Sequence, residues 1–295
     1  MTLGFSIENP ALTDEFHQNI LLGNHDSLKK FLNNLKEEGI ESIEIRILRR
    51  EDEENYQNAI QLIWDLGMEI TIHGDISGPL TYHNFRELYP SMDYILAHFE
   101  KYQEKLVMPI HAYQAISDNE DRAELSEQTV EEFGNWINLI EREGIPLYIA
   151  LENNRAKSSK VDPGDSIDGV MKMVNQINNR HLGICWDMGH YYSNLLKEAN
   201  ISDLPNETIN QLPDSNFIEK VYHTHIHGLN EKGITHFPLT QKESLPLETY
   251  ISALRKTGYN NTYNLELTLS RWDQEVTVQK QISNTIKRLR EAVIT

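Results

Sequence analysis

At 295 residues the chain is longer than one average domain but of a size that α/β barrels reach as single units, and its 39% hydrophobic and 24% charged residues exclude a disordered chain. Its 45 acidic and 27 basic side chains give a formal net charge of −18, which disfavours nucleic acid and acidic membrane surfaces as partners but costs metal cations and neutral small molecules nothing. The lone Cys185 excludes an intrachain disulfide, and there is neither a basic-then-apolar leader nor an apolar run near the roughly 20 residues of a membrane helix, so a cytoplasmic protein is expected.

In chain order, eight short β-branched runs read as strands: Leu3–Glu8, Ser42–Leu48, Glu69–His73, Leu106–His111, Leu147–Glu152, Leu182–Asp187, Val221–His227 and Tyr263–Thr268. Amphipathic segments separate them. Asp26 is placed to cap a helix over Ser27–Glu38, with Leu28, Phe31, Leu32 and Leu35 on one face. A second clear helix follows Ser126, with Val130, Phe133, Trp136, Ile137 and Ile140 on its apolar side. Gly39, Gly67, Gly144 and Gly258 each fall where a helix must turn into the next strand. The stretch Tyr192–Asn216 reads as the loosest part, a lid or a long connection.

Strand–helix alternation implies parallel strands with right-handed crossovers. Eight such units in this length predict a single (β/α)8 barrel over residues 1–295 rather than an open sheet, and no glycine-rich phosphate loop follows the first strand.

A barrel gathers the C-terminal ends of its strands at one mouth. There the third strand ends on His73, the fourth on His111, the fifth on Glu152 and the sixth on Asp187 with His190 three residues on. The seventh carries His223, His225 and His227, and the eighth Glu266. Any one of these alone is as readily a structural residue. Six consecutive strands converging such groups would set carboxylates against one another, a conflict that a divalent cation resolves. The three histidines at i, i+2 and i+4 share one strand face but span about 13 Å, so one is expected to ligate and the others to orient ligands or touch substrate. Mixed oxygen and nitrogen donors suit manganese, zinc or cobalt, and magnesium less well.

The motifs Leu151-Glu152-Asn153, Asp187-Met188-Gly189-His190, His223-Thr224-His225 and Leu265-Glu266, in this order, resemble the xylose isomerase-like barrel superfamily. That superfamily spans ketose epimerases, isomerases, dehydratases and metal-dependent abasic-site endonucleases. The resemblance implies a metal on Glu152, Asp187, His225 and Glu266, with Glu152 and Glu266 as the acid/base pair beside a substrate carbonyl. It implies a small sugar or sugar-acid substrate touched by His190, His73, His227 and Lys232, with Trp186 or Phe237 as a wall, and it is compatible with a homo-oligomer. The expectation is a metal-dependent isomerase or epimerase working through an enediolate. The alternatives are a zinc-dependent abasic-site endonuclease, for which His73, His111, His190 and His236 would be further ligands, or a dehydratase on the same scaffold. Two departures count. The endonuclease branch has an aspartate where this chain has Ile234, and the epimerases have an arginine after the metal histidine where this chain offers Lys232.

Overall fold

A computed structural model describes residues 2–7, 25–46, 53–74, 84–89, 91–115, 121–201, 209–239, 245–268 and 278–294. Eight parallel strands form one sheet: β1 Thr2–Ile7, β2 Ser42–Arg46, β3 Glu69–His73, β4 Leu106–His111, β5 Leu147–Glu152, β6 Leu182–Asp187, β7 Val221–Ile226 and β8 Thr262–Leu265. Their order is β3-β2-β1-β8-β7-β6-β5-β4. The seam between β3 and β4 is tied by the parallel bridge Gly74↔Ile110, where the Gly74 N–H donates to Pro109 O at 2.9 Å. The expected (β/α)8 barrel is the fold. The expected strand ends at Glu8 and Leu48 lie outside the described residues.

Long helices alternate with the strands: α1 His25–Glu37, α2 Glu53–Asp65, α3 Met92–His98, α4 Arg122–Glu143, α5 Ile167–Ile177, α6 Met188–Glu198, α7 Leu247–Lys256 and α8 Val278–Ile294. Helix α4 shows what fixes them. Asp121 caps it, accepting from the Ala123 N–H at 2.8 Å, and Gly144 ends it in the left-handed conformation (φ 67°). Gly39, Gly67 and Gly258 close their helices with the same hand. Phe133, Trp136, Ile137 and Ile140 of α4 are buried against the barrel. Truncating one of the aromatics to alanine would cost about 3–5 kcal/mol.

Three expectations shift. Helix α4 starts at Arg122, so Ser126 lies buried within it rather than at its start. Helix α1 starts at His25, which puts Asp26 in the first turn rather than at the cap. Tyr192–Glu198, expected to be loose, is the second half of α6, whose Tyr192, Leu195 and Leu196 pack into the core.

Strand alternation divides the apolar residues in two. Ile43, Ile45, Ile70, Ile72, Ile149 and Leu151 join the large cluster shared with the helices. Val107, Ala150 and Cys185, with Tyr222 against them, form a separate small cluster on the other strand faces, inside the barrel. On β7 the register slips, since Ile184 pairs with Val221 but Cys185 with His223. Tyr222 is the extra residue of this bulge, and its ring fills the space where a side chain on Gly183 would stand. The bulge brings His223, His225 and His227 into register with the ligand-bearing face of β6 above that plug, where Cys185 is level with His223 and Asp187 with His225.

Candidate functional site

The floor of the barrel mouth is built around Glu152, with 1% of its side chain exposed. The Nδ1 of His225 lies 3.0 Å from Glu152 Oε1 and 3.3 Å from Glu266 Oε2. His73 Nε2 is 3.1 Å from Glu152 Oε2, and His111 Nε2 is 3.6 Å from it. Despite these distances, Glu152 Oε1, Glu266 Oε2 and His225 Nδ1 are buried with no hydrogen-bond partner among the described residues. They face one another without the alignment of a hydrogen bond. Buried polar atoms are costly when unmade, so such a group needs a common partner. One atom each of His73, His225 and Glu266 lie within 4.8 Å of one another, as do those of His73, His111 and Glu152, which is the spacing a single cation bridges.

Beside these groups sits a residue the sequence reading passed over. Glu44 of β2 is buried and faces His223 Nε2 at 2.9 Å and His225 Nε2 at 3.1 Å, and it accepts from Ser6 Oγ at 2.7 Å. With the His225 Nε2 proton donated to Glu44, the Nδ1 lone pair is left for the mouth. Burial would raise the pKa of Glu44, but His225 and His223 hold it well below the usual carboxylate range. Glu152 is held low in the same way, burial being outweighed by His111 and His225. Burial disfavours the charged form of His225, yet Cys185, Glu44, Glu152 and Glu266 keep its pKa well above the ordinary value. Binding a cation through Nδ1 would displace the second proton that these carboxylates favour on the ring. Glu266 differs from Glu152, since burial pushes it up to about 7 with Glu152 and Asp187 adding to the rise. His111 is pushed down to about 3 by burial and stays neutral, a state in which it can ligate. Cys185, also beside His225, has its thiol pushed well up by burial.

A second group adjoins the first. Asp187 caps α6 by accepting from the His190 N–H at 2.6 Å, and it faces His227 Nε2 and His190 Nδ1 at 3.1 Å each. His190 Nδ1 is 3.9 Å from Glu152 Oε1, and its Nε2 meets His236 Nε2 at 3.2 Å. His236 Nδ1 stands 3.5 Å from Glu266 Oε2, on a left-handed backbone (φ 64°) unusual for a residue with a side chain. Ligand atoms of His190, His227 and His236 also lie within 4.8 Å of one another. Gly189 makes this packing possible, because a Cβ there would stand 2.0 Å from the His227 ring.

Above the floor opens a cavity of about 350 Å³ whose lining includes Glu44, Arg46, His73, His111, His190, His236 and Glu266. Of the expected substrate contacts, His73 and His190 line it. His227 is fully buried behind Asp187, and Lys232 is exposed on the turn 230–233, away from the cavity lining. That turn swings out because the bridge Gly228↔Phe237 pinches its base and Asn230 Oδ1 caps it through the Lys232 and Ile234 N–H groups. Trp186 is no wall either. It is fully buried and packs on Phe217 and Tyr250 behind the strand. Phe237 is likewise absent from the lining.

A family model for the xylose isomerase-like TIM barrel matches residues 24–292. Among solved structures, a xylose isomerase domain protein from Alicyclobacillus acidocaldarius is similar over 100% of this chain and 98% of its own, with a TM-score of 0.65 and 16% identity. A D-psicose 3-epimerase from Clostridium cellulolyticum H10 covers 99% of both chains (TM-score 0.63, 13% identity). A 3-keto-D-glucoside 4-epimerase from E. coli covers 98% of this chain and 100% of its own (TM-score 0.62, 14% identity). At such identities these likenesses speak for the fold. A protein of Methanocaldococcus jannaschii described as uncharacterised is 42% identical over 72 residues, 24% of this chain, and the match spans about a quarter (26%) of that relative.

Proposed function

The chain belongs to the xylose isomerase-like TIM-barrel family, and from that premise we propose that it is a divalent-metal-dependent isomerase or epimerase of a small sugar or sugar acid. One observation carries the reading. Glu152, Glu266 and His225 turn unpartnered buried atoms toward one another at the base of the barrel mouth, and Glu266 among them lines a small cavity. Neighbours of the same fold are named as psicose, ribulose and 3-keto-glucoside epimerases, which supports the sugar class.

Glu152, His225 and Glu266, with His73 beside them, would hold the ion, while Asp187, the fourth ligand that the resemblance implies, is engaged by His190 and His227; manganese, zinc or cobalt suits this donor set. When bound, the ion would polarise the substrate carbonyl. The remaining chemistry belongs to the side chains. Two carboxylates in unlike surroundings divide the work: Glu152 is enclosed by imidazoles that favour its ionised form, and Glu266, which lines the cavity, is placed to exchange the proton with substrate. Removing the proton from the carbon next to the carbonyl gives an enediolate, and returning it to the neighbouring carbon or the opposite face completes isomerisation or epimerisation. The imidazoles of His73 and His190 line the cavity within reach of substrate oxygens.

The second reading is a zinc phosphodiesterase, favoured by the way His111 and His73 gather on Glu152 while His236 meets His190. Against it, Ile234 is 36% exposed and offers no ligand. Elemental analysis of untagged protein separates the two. One ion per chain, together with deuterium exchange into a ketose, is expected. Two or three zinc ions with incision of an abasic duplex would replace the isomerase reading by the second one.

A further inference from the structure

In a chain of net charge −18, the rim of this cavity is basic. Arg155, Lys157 and Lys160, all from the loop after β5, line it together with Arg46 at the end of β2. Among the described residues the acids in the lining are Glu44 and Glu266, and both belong to the floor, where His223, His225 and His236 face them. Among the described residues, positive charge in the lining is thus gathered at the entrance and the acids at the floor.

The loop is built to hold these cations still. Val161 and Ala115 exchange both backbone hydrogen bonds at 2.9 and 3.0 Å, which fixes the chain next to Lys160. Asn194 donates to Asn154 O and Asp165 O and accepts from the Ala156 N–H, which clamps the loop on either side of Arg155. Lys160 Nζ donates to Gln114 Oε1 at 3.0 Å, a neutral partner that leaves its charge uncancelled. Arg155 Nε is buried with no hydrogen-bond partner among the described residues. A buried guanidinium donor left unmade at a cavity wall is costly unless a ligand accepts from it.

We infer that the substrate carries an anionic group, a carboxylate or a phosphate, remote from its reacting carbon, and that Arg155 and Lys160, flanked by Arg46 and Lys157, bind it at the rim. The orientation rests on the proton-transfer reading of the floor. The cavity's volume, about 350 Å³, lies at the lower end of the roughly 300–1,000 Å³ usual for small-molecule sites, a size that suits a single short sugar chain. Charge at the rim would also bring such a substrate in against the repulsion of the chain as a whole.

The test uses three six-carbon ligands that cannot be isomerised, so that binding is read apart from turnover: glucitol, gluconate and glucitol 6-phosphate, titrated calorimetrically into the full-length, metal-reconstituted protein. One or both anions are expected to bind at least about tenfold more tightly than glucitol, with a preference that shrinks as salt rises. Arg155→Gln and Lys160→Gln are each expected to lower that preference and leave glucitol binding unchanged. Which anion wins tells a sugar acid from a sugar phosphate. Equal binding of all three, no binding of either anion, or a preference that survives both substitutions overturns the inference. Anion binding through the rim without proton exchange in any ketose would uphold it and remove the isomerase reading. Exchange in neutral ketoses without an anion preference would do the reverse.

Discussion

Two carboxylates stand one strand apart at the barrel mouth, and each gathers imidazoles, yet they are wired differently. Asp187 is satisfied from within: the His190 N–H, His190 Nδ1 and His227 Nε2 all come within 3.1 Å of it, and by capping α6 it ties the site to the scaffold. Glu152 is crowded by His73, His111 and His225, but its Oε1 has no aligned partner and neither do the atoms of Glu266 and His225 facing it. A carboxylate that completes its own bonds serves architecture whether or not an ion is bound. One that faces other unmet donors and acceptors calls for something to be placed among them. The difference predicts that damage to the two groups will have separable consequences.

The largest effect is expected at Glu152. Glu152→Gln keeps the shape but removes the charge, so one ion per chain should be lost and turnover should fall about 10²–10⁴-fold. Elemental analysis and initial rates read both. Retained metal with retained rate would show that the centre lies elsewhere.

Glu44 sharpens the same side of the comparison, because it meets the centre through His225. Glu44→Ala removes the acceptor that holds the His225 Nε2 proton, and metal affinity is expected to weaken about 10–100-fold. Glu44→Gln, which keeps an acceptor oxygen, should recover part of this. Competition with a chelator gives the affinities, and equal values for both variants and the parent would reduce Glu44 to packing.

On the other side, Gly189→Ala forces a Cβ into the His227 ring and so disrupts the Asp187 group while leaving Glu152 untouched. A loss of about 1–3 kcal/mol in urea unfolding is expected, with the ion at Glu152 retained. Loss of metal without loss of stability would mean that Asp187 belongs to the centre rather than to its frame.

How much of this could be read from the residues follows the same division. The barrel was legible because strand alternation and the glycine stops at 39, 67, 144 and 258 are local signals that packing did not override. The convergence of His73, His111, Glu152, His225 and Glu266 was legible because strand ends in a barrel share one mouth. Glu44 was not, although Ile43-Glu44-Ile45 sets an acid between two buried isoleucines and so points it inward. A lone glutamate in a strand has no partner in sequence, and His223 and His225 lie some 180 residues away. Lys232 misled because closeness in sequence to a metal histidine says nothing about which way a turn swings. The basic rim went unread because Arg155, Lys157 and Lys160 look like any solvated loop until the barrel aims them at Arg46.

The last effect is expected away from both carboxylates, at Asp162 in the basic loop, and it appears only as a dependence on pH. Asp162 accepts from the Gly164 N–H at 2.7 Å and from Asn154 Nδ2 at 2.9 Å, but burial pushes its pKa up to about 6 from an ordinary 3.8. A carboxyl raised in the folded state favours folding in its protonated form. Its contribution is therefore complete below about pH 4 and is lost as pH rises through about 6. Relative to Asp162→Asn, which cannot titrate, the parent chain should lose about 1–3 kcal/mol between pH 4.5 and 7.5 in urea unfolding. A difference that instead grows with pH would mean that the hydrogen bonds to Gly164 and Asn154 outweigh burial. The loop carrying Arg155 would then be held by a charged aspartate and grow firmer as the pH rises.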